Sequence, residues 1–208
     1  IFSSRQGEGL YVGENMTFVR FSNCQMKCLF CDTVKSINYK GKCKVITNEN
    51  TLEIPNPVGI ASLNNILTNF ENKTISVTGG EPLEQSEFLT EWLPTRSANK
   101  ILLETNGVHG DRLNSILNHV DIISMDIKLP SSCGTIPRWR EHEHFLQTAI
   151  ASGKEIYVKI VVTSTTTDVD IQEAINILTQ AKKFIPVVIQ PASPTLTFCH
   201  TVPDERLK

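Results

Sequence analysis

Cys24, Cys28 and Cys31 stand in the run "CQMKCLFCDT" at offsets of four and three, followed at once by Asp32 and Thr33. Thiolates this close together on one short loop are soft metal ligands, so the triplet asks for metal chemistry. Structural zinc is normally closed by four ligands in paired C-x2-4-C elements, and Cys43 is the residue available as a fourth. A zinc-stabilised binding module built on Cys24, Cys28, Cys31 and Cys43 is therefore one reading. An iron-sulfur cluster is also normally held by four thiolates, so a cluster held by three leaves one iron with an open position for a substrate or cofactor. Thr33 beside Asp32 offers oxygen atoms to a hard cation, although such a pair also makes a cap or a turn.

The segments around the triplet indicate what positions it. The runs "MTFVRF", "TISVT", "KILLET", "IISMD", "IYVKIVVT" and "PVVIQ" are short, β-branched or apolar, and several lack clean alternation, as strands buried on both faces do. Between them lie stretches with helical spacing or helix-forming composition: "ASLNNILTNF", "SEFLTEWL", "DRLNSILNHV", "EHFLQTAIAS" and "DIQEAINILTQAKKF". Repeated strand then helix predicts an α/β fold with a parallel sheet, and six such units fit a partial barrel better than a closed one of eight. The unusual residues follow the strands: the Cys loop, then "GGEP", "TNG", "IKLPSS" and "QPASP". All are predicted to lie at the C-terminal end of the sheet, where parallel α/β folds bind their ligands. The segment 35–57 has no firm period and reads as an insertion flanking the Cys loop.

The chain has 208 residues, of which 40% are hydrophobic and 20% charged, enough for one domain with a substantial core. Its formal net charge is -2 and it has no basic run, which argues against direct nucleic-acid binding and against a polybasic membrane surface. No apolar stretch approaches the roughly 18 residues that span a bilayer, and the start, "IFSSRQGEG", lacks the charged and apolar parts of a signal peptide. A cytoplasmic location is expected. From the missing initiator Met and the ending "HTVPDERLK" the chain is expected to be a fragment lacking its native termini. Six cysteines with three clustered do not make the even framework of a secreted domain, and Cys43, Cys133 and Cys199 are expected to be buried or idle thiols. His109, His119, His142, His144 and His200 show no ligand pattern and are expected in solvated or capping roles.

C-x3-C-x2-C after a first strand, with Phe30 before the last Cys, resembles the signature of the radical S-adenosylmethionine (SAM) enzymes. That resemblance implies a partial (βα)6 barrel and a [4Fe-4S] cluster on Cys24, Cys28 and Cys31, with SAM on the remaining iron. "TGGEP" is similar to the superfamily's second motif, which holds the SAM amino group; two glycines at a strand end also let backbone approach a ligand closely, and alone they would read as a tight turn. By the same resemblance Phe30, Gly79, Gly80, Glu81, Glu104, Asn106, Ser124, Asp126, Lys128 and Gln190 would face SAM. Asp126 and Lys128 equally fit an ordinary ion pair inside a barrel.

The longer run "SSRQGEGLYVGENMTFVRFSNCQMKCLFCDT" resembles the amino-terminal segment of the 7-carboxy-7-deazaguanine synthase family, and "DIKLPSS" and "VIQP" extend the likeness to about Pro191. The resemblance implies 6-carboxy-5,6,7,8-tetrahydropterin as substrate, hydrogen abstraction from its C6 after SAM cleavage, and ring contraction with loss of ammonia. It also implies Mg2+ on Thr33, a one-electron donor such as flavodoxin or ferredoxin, and a homodimer. Arg5, Gln6, Gly7, Glu8, Arg20 and Thr78 would bind substrate. A guanidinium at Arg20 suits the pterin carboxylate, and the amide of Gln6 and carboxylate of Glu8 suit its ring edges. A radical-SAM activase acting on a protein glycine shares the cluster and "GGEP", but Q-G-E-G with C-D-T argues against it.

Overall fold

The computed structural model describes residues 1–195 and 198–202, and the end of the C-terminal stretch "HTVPDERLK" lies outside them. The described residues build one sheet of nine strands in the order β4-β3-β1-β2-β5-β6-β7-β8-β9. Here β1 is Phe2–Arg5, β2 Asn15–Phe21, β3 Cys43–Ile46, β4 Thr51–Ile54, β5 Thr74–Gly79, β6 Lys100–Thr105, β7 Ile122–Ile127, β8 Glu155–Val162 and β9 Val187–Pro191. The helices are α1 Ile60–Leu67, α2 Ser86–Trp92, α3 Gly110–Asn114, α4 Pro130–Cys133, α5 Trp139–Ala151 and α6 Asp168–Gln180.

The six strands read from sequence are β2 and β5 to β9, and each pairs in parallel with the next. This is the open, partial barrel expected of six strand-helix units. Among the described residues no helix is long and apolar enough to cross a membrane. Three strands carry no strong sequence signal. β1 pairs antiparallel with β2, while β3 and β4 form a hairpin inside the segment 35–57 that extends the sheet beyond β1 through the pair Phe2↔Ile46.

The longer helices α1, α5 and α6 cover the outer sheet face with buried residues at helical spacing. On α5 the stripe is Trp139, His142, Phe145, Leu146 and Ala149, so the helix begins one turn before the apolar run alone indicates. Thr167 caps α6 by accepting the Asp170 N–H at 3.3 Å. The stretch "DRLNSILNHV" is not one helix but α3 followed by a 3-10 turn over Leu117–His119. Ser115 donates its hydroxyl to the Arg112 carbonyl at 2.7 Å, a local bond that competes with helix continuation.

Between sheet and helices lies the main core, centred on Val77, Trp92, Leu103, Ile123, Phe145 and Val158. A second cluster of Met16, Phe18, Leu102, Ile122 and Tyr157 fills the concave side. Side chains alternate across a strand, so the same inward rows continue toward the C-terminal ends as Arg20, Thr78, Glu104, Ser124, Asp126, Lys159 and Gln190. The barrel is apolar at its floor and polar at its mouth.

Candidate active site at the barrel mouth

A cavity of about 380 Å³ opens at this mouth, within the range of small-molecule sites. Loops after β2, β5, β6, β7 and β9 all reach it. Of the site residues that the family resemblance implies, all but Glu81 line it: Cys24, Cys28, Cys31 and Thr33; Phe30, Gly79, Gly80, Glu104 and Asn106; Ser124, Asp126, Lys128 and Gln190; Arg5, Gln6, Gly7, Glu8, Arg20 and Thr78.

Glu81 is fully buried away from the cavity, so a direct contact with a ligand there is not what its carboxylate makes. It accepts the Leu83 N–H at 3.0 Å, the Thr105 hydroxyl at 2.8 Å and the Asn106 N–H at 2.8 Å, tying the loop after β5 to the end of β6. Burial pushes its pKa up to about 7 against these bonds.

The two glycines of "GGEP" also have a different reason from close approach to a ligand. A Cβ on Gly80 would stand 1.9 Å from the Asn23 carbonyl oxygen, and one on Gly79 would stand 2.7 Å from that of Phe21. Gly80 N–H donates to the Phe21 carbonyl and Glu81 N–H to that of Asn23, at 3.1 and 2.7 Å. The "GGEP" turn is thus docked directly on the start of the Cys loop. Gly80→Ala is expected to lower stability by about 1–3 kcal/mol, the cost of forcing atoms into a filled space. Urea unfolding measures it, and an unchanged midpoint would show that the two turns do not press together.

Cys24, Cys28 and Cys31 are half-buried free thiols on the cavity wall. Asn106 Nδ2 lies 3.9 Å from Cys24 Sγ, and burial pushes the Cys24 thiol above its ordinary pKa. Among the described residues no three His, Cys, Asp or Glu side chains converge on one point as a single ion requires. Zinc draws four ligands to within 2.0–2.3 Å of one centre, whereas each thiolate of a cluster holds a different iron. Cys43, the fourth ligand of the zinc reading, sits on β3 and does not line the cavity. The thiol set therefore fits a cluster better than a single ion. Thr33 Oγ1 lies 3.7 Å from Cys31 Sγ and makes no cap bond to the turn that follows, so its hydroxyl is not committed to a helix end.

The cavity wall also carries a row of alternating charges. Lys159, which sequence reading passed over inside the apolar run "IYVKIVVT", pairs with Glu8 and lies 3.4 Å from Asp126 Oδ1; the other oxygen of Asp126 pairs with Lys128 at 2.5 Å. The strand register sets this up, because Asp126 stands directly opposite Lys159 on β7 and β8. Burial works against every charge in the row, but for each the opposite neighbour prevails. Asp126 and Glu8 are held below the usual carboxylate range, and Lys128 and Lys159 above the usual lysine value. Lys128 also stands 5.4 Å above the Phe30 ring.

The Q-G-E-G segment is spent largely on the protein itself. Gln6 is buried, donates to Glu104 at 3.0 Å and accepts the Glu8 N–H at 3.2 Å; Glu8 also accepts from Gln190 Nε2 at 2.8 Å. Gly9 has φ +73° and packs so closely on Tyr157 that a Cβ would stand 2.5 Å from its Oη. These contacts latch the loop between β1 and β2 across the barrel mouth. Arg20 stays exposed at the rim, giving one N–H to the Gly79 carbonyl at 2.9 Å and leaving the rest of its guanidinium free to pair.

His142 departs from the solvated or capping role expected of the histidines. It is fully buried, accepting the Lys128 N–H on Nε2 at 3.1 Å with Nδ1 3.1 Å from the Gly107 carbonyl, and burial lowers its pKa to about 4. A neutral ring with Nδ1–H donating to Gly107 satisfies both bonds, joining the "TNG" turn to the end of β7.

No family model matches the chain. Among solved structures, that of TsrM from Kitasatospora setae, a radical S-adenosylmethionine methyltransferase with cobalamin and a [4Fe-4S] cluster bound, superposes with TM-score 0.57. The match covers 93% of this chain and 42% of that one at 11% identity, a likeness of fold. Curated sequences are nearer. The chain is 36% identical to the 7-carboxy-7-deazaguanine synthase of Geobacter sulfurreducens, over 93% of this chain and 80% of that protein. It is 33% identical to that of Methanothermobacter thermautotrophicus, over 98% and 85%. With identity at this level running through more than nine-tenths of this chain and at least four-fifths of each of these relatives, and the cysteine triplet, Gln6, Gly7, Glu8 and Arg20 gathered at one barrel mouth, this chain belongs to the 7-carboxy-7-deazaguanine synthase family.

Proposed function

We propose that the chain converts 6-carboxy-5,6,7,8-tetrahydropterin to 7-carboxy-7-deazaguanine with a [4Fe-4S] cluster, SAM and Mg2+. One observation carries the reading: the three cysteines, the rim guanidinium of Arg20 and the hydroxyl of Thr33, which makes no helix-cap bond, line the same cavity. When bound, the cluster and SAM supply one-electron cleavage and the capacity to abstract a hydrogen atom. The chain's own residues have to bind, orient and exclude water.

Cys24, Cys28 and Cys31 would hold the cluster. Gly79 and Gly80, on a turn whose shape Glu81 fixes, would present backbone to the SAM amino end, with Asn106, Ser124 and the Asp126–Lys128 pair lining its other side. Arg20, tethered through one N–H, has guanidinium edge left for a substrate carboxylate, and Thr33 beside Asp32 offers oxygen to Mg2+. Gln6 and Glu8 support this site by shaping its wall, since protein groups already occupy much of their bonding capacity. The row from Glu8 to Lys128 carries two carboxylates and two ammonium groups, so it presents polarity without net charge.

The test is anaerobic incubation with SAM, reductant and carboxytetrahydropterin, with and without Mg2+, followed by mass analysis. Product formed with Mg2+ and reduced without it supports the reading; SAM cleavage with no change in the pterin overturns the substrate assignment. A narrower expectation concerns Arg20→Lys, which keeps the charge and loses the fork. Substrate use should weaken by about 1.5–3 kcal/mol, the scale of a charged hydrogen bond, while SAM binding changes little. Equal weakening for both ligands would mean that Arg20 supports the rim through Gly79 alone.

A further inference from the structure

Cys133 ends α4 and is fully buried, behind the cavity wall and not part of its lining. It is nevertheless seated against the Cys loop. The Leu29 N–H donates to the Cys133 carbonyl at 2.9 Å, which sets Cys28 beside Cys133, and the two thiols act on each other electrostatically, while Cys133 Sγ also lies 2.9 Å from Thr135 Oγ1. The next residue, Gly134, packs so closely on the loop that a Cβ there would stand 2.6 Å from Leu29 Cδ1. Cys24 and Cys31 have different neighbours, Asn106 and Thr33. Both Cys28 and Cys133 are free thiols.

We propose that Cys28 and Cys133 form a thiol–disulfide exchange pair in the cluster-free protein, Cys28 receiving a small disulfide and Cys133 resolving it. The difference in exposure assigns the order. Cys28 is half-buried at the cavity and meets a small disulfide RSSR, while Cys133 is sealed from solvent and meets Cys28. The Cys28 thiolate attacks one sulfur of RSSR, forming a mixed disulfide and expelling RS⁻. The Cys133 thiolate then attacks the Cys28 sulfur, closing the Cys28–Cys133 bond and expelling the second RS⁻. The two thiol protons pass through solvent to the two RS⁻ groups; the protein loses two electrons and RSSR becomes two RSH. The bond from the Leu29 N–H to the Cys133 carbonyl holds Cys28, the residue before Leu29, beside Cys133, as a disulfide's short Cα separation demands. With Cys28 so engaged, two of the three loop thiols remain, and cluster uptake waits on reduction. This consequence rests on the function proposed above; formation of the bond does not.

The experiment uses the whole chain, freed of iron and fully reduced, then exposed to oxidised glutathione, alkylated and digested. In wild type the expected main product is a Cys28–Cys133 linked peptide, with an intact mass lower by two hydrogens and no glutathione adduct. In Cys133→Ser and Cys133→Ala a glutathione adduct at Cys28 should accumulate. A persisting adduct at Cys28 in wild type, or a Cys24–Cys28 or Cys28–Cys31 link, overturns the proposal, and the wild-type map decides it whether or not the variants fold. Iron and sulfide are then offered before and after dithiothreitol. Uptake only after reduction supports the consequence, and uptake by the cross-linked form removes it. A never-oxidised chain that takes up no cluster while the cross-link still forms would count against the function and not against the pair.

Discussion

Anaerobically prepared Cys24→Ala, Cys28→Ala and Cys31→Ala proteins are each expected to lose the intact cluster, with iron and sulfide falling from near-stoichiometric to near zero and the visible absorbance lost. The structure gives the reason in terms of what else could take the vacated iron. Cys43 sits on β3 outside the cavity, Cys199 is exposed, and Cys133 lies behind the wall at full burial. Cys133→Ala and Cys43→Ala should therefore keep the cluster. Cys133 stands beside the Cys loop, its carbonyl bonded to the Leu29 N–H next to Cys28, which makes Cys28→Ala the most exacting of the three variants. A full, SAM-cleaving cluster in any of them would mean that the triplet is not the ligand set.

The fold was legible because the strand runs are short and strongly apolar, and because each is followed by a loop of odd composition. Those loops do converge on one cavity, and most of the candidate residues lie in them or in the last residues of a strand. What stayed hidden had physical causes. β1, β3 and β4 are short and mostly exposed, so they carry no apolar pattern. Lys159 was hidden for the opposite reason: on β8 both faces are buried over most of their length, and a lysine among Ile, Tyr, Val and Ile reads as an interruption. Stepping by two along the strands would have found it. Glu104, Ser124 and Asp126 stand on the inward rows of β6 and β7, and the β8 residue registered against Asp126 is Lys159.

Gln6, Glu8 and Glu81 show a different limit. A motif tells which residues gather at a site, but the same residue types serve a ligand and a neighbouring strand equally well. Glu81 is fully buried and bonded to Leu83, Thr105 and Asn106, and the two glycines before it are required by the Cys loop. Only the partners decide between these roles, and partners are a property of the packed chain. His142 belongs with these: on α5 its position in the apolar stripe was the available signal, since the stripe's other members are all core residues.

Lys159→Met is expected to cost about 3 kcal/mol of stability at pH 7 and to lose part of that cost in mild acid. Methionine keeps most of the volume but leaves Glu8 and Asp126 facing each other across the mouth without the ammonium between them. Breaking a buried pair by removing one partner costs about 3–5 kcal/mol, and the low end applies because Lys128 still pairs with Asp126 and the Glu8 side chain is 38% exposed. The pH dependence follows from the direction of each shift. In wild type, Glu8 and Asp126 have lowered folded-state pKa values, so they contribute stability above the unfolded carboxylate range and lose it as pH falls through their folded values. Lys159 has a raised value, so its contribution is complete below the ordinary lysine pKa and is lost only in strong alkali. At pH 7 all three act in full. Without Lys159, burial dominates for Glu8 and raises its carboxyl, and protonation then relieves the repulsion as pH drops below neutrality. The deficit against wild type, measured by urea unfolding at pH 7 and again near pH 5, should narrow. A deficit under about 1 kcal/mol at pH 7 would place the pair among weak surface contacts, and one that widens in acid would show that the carboxylates were never held down by Lys159.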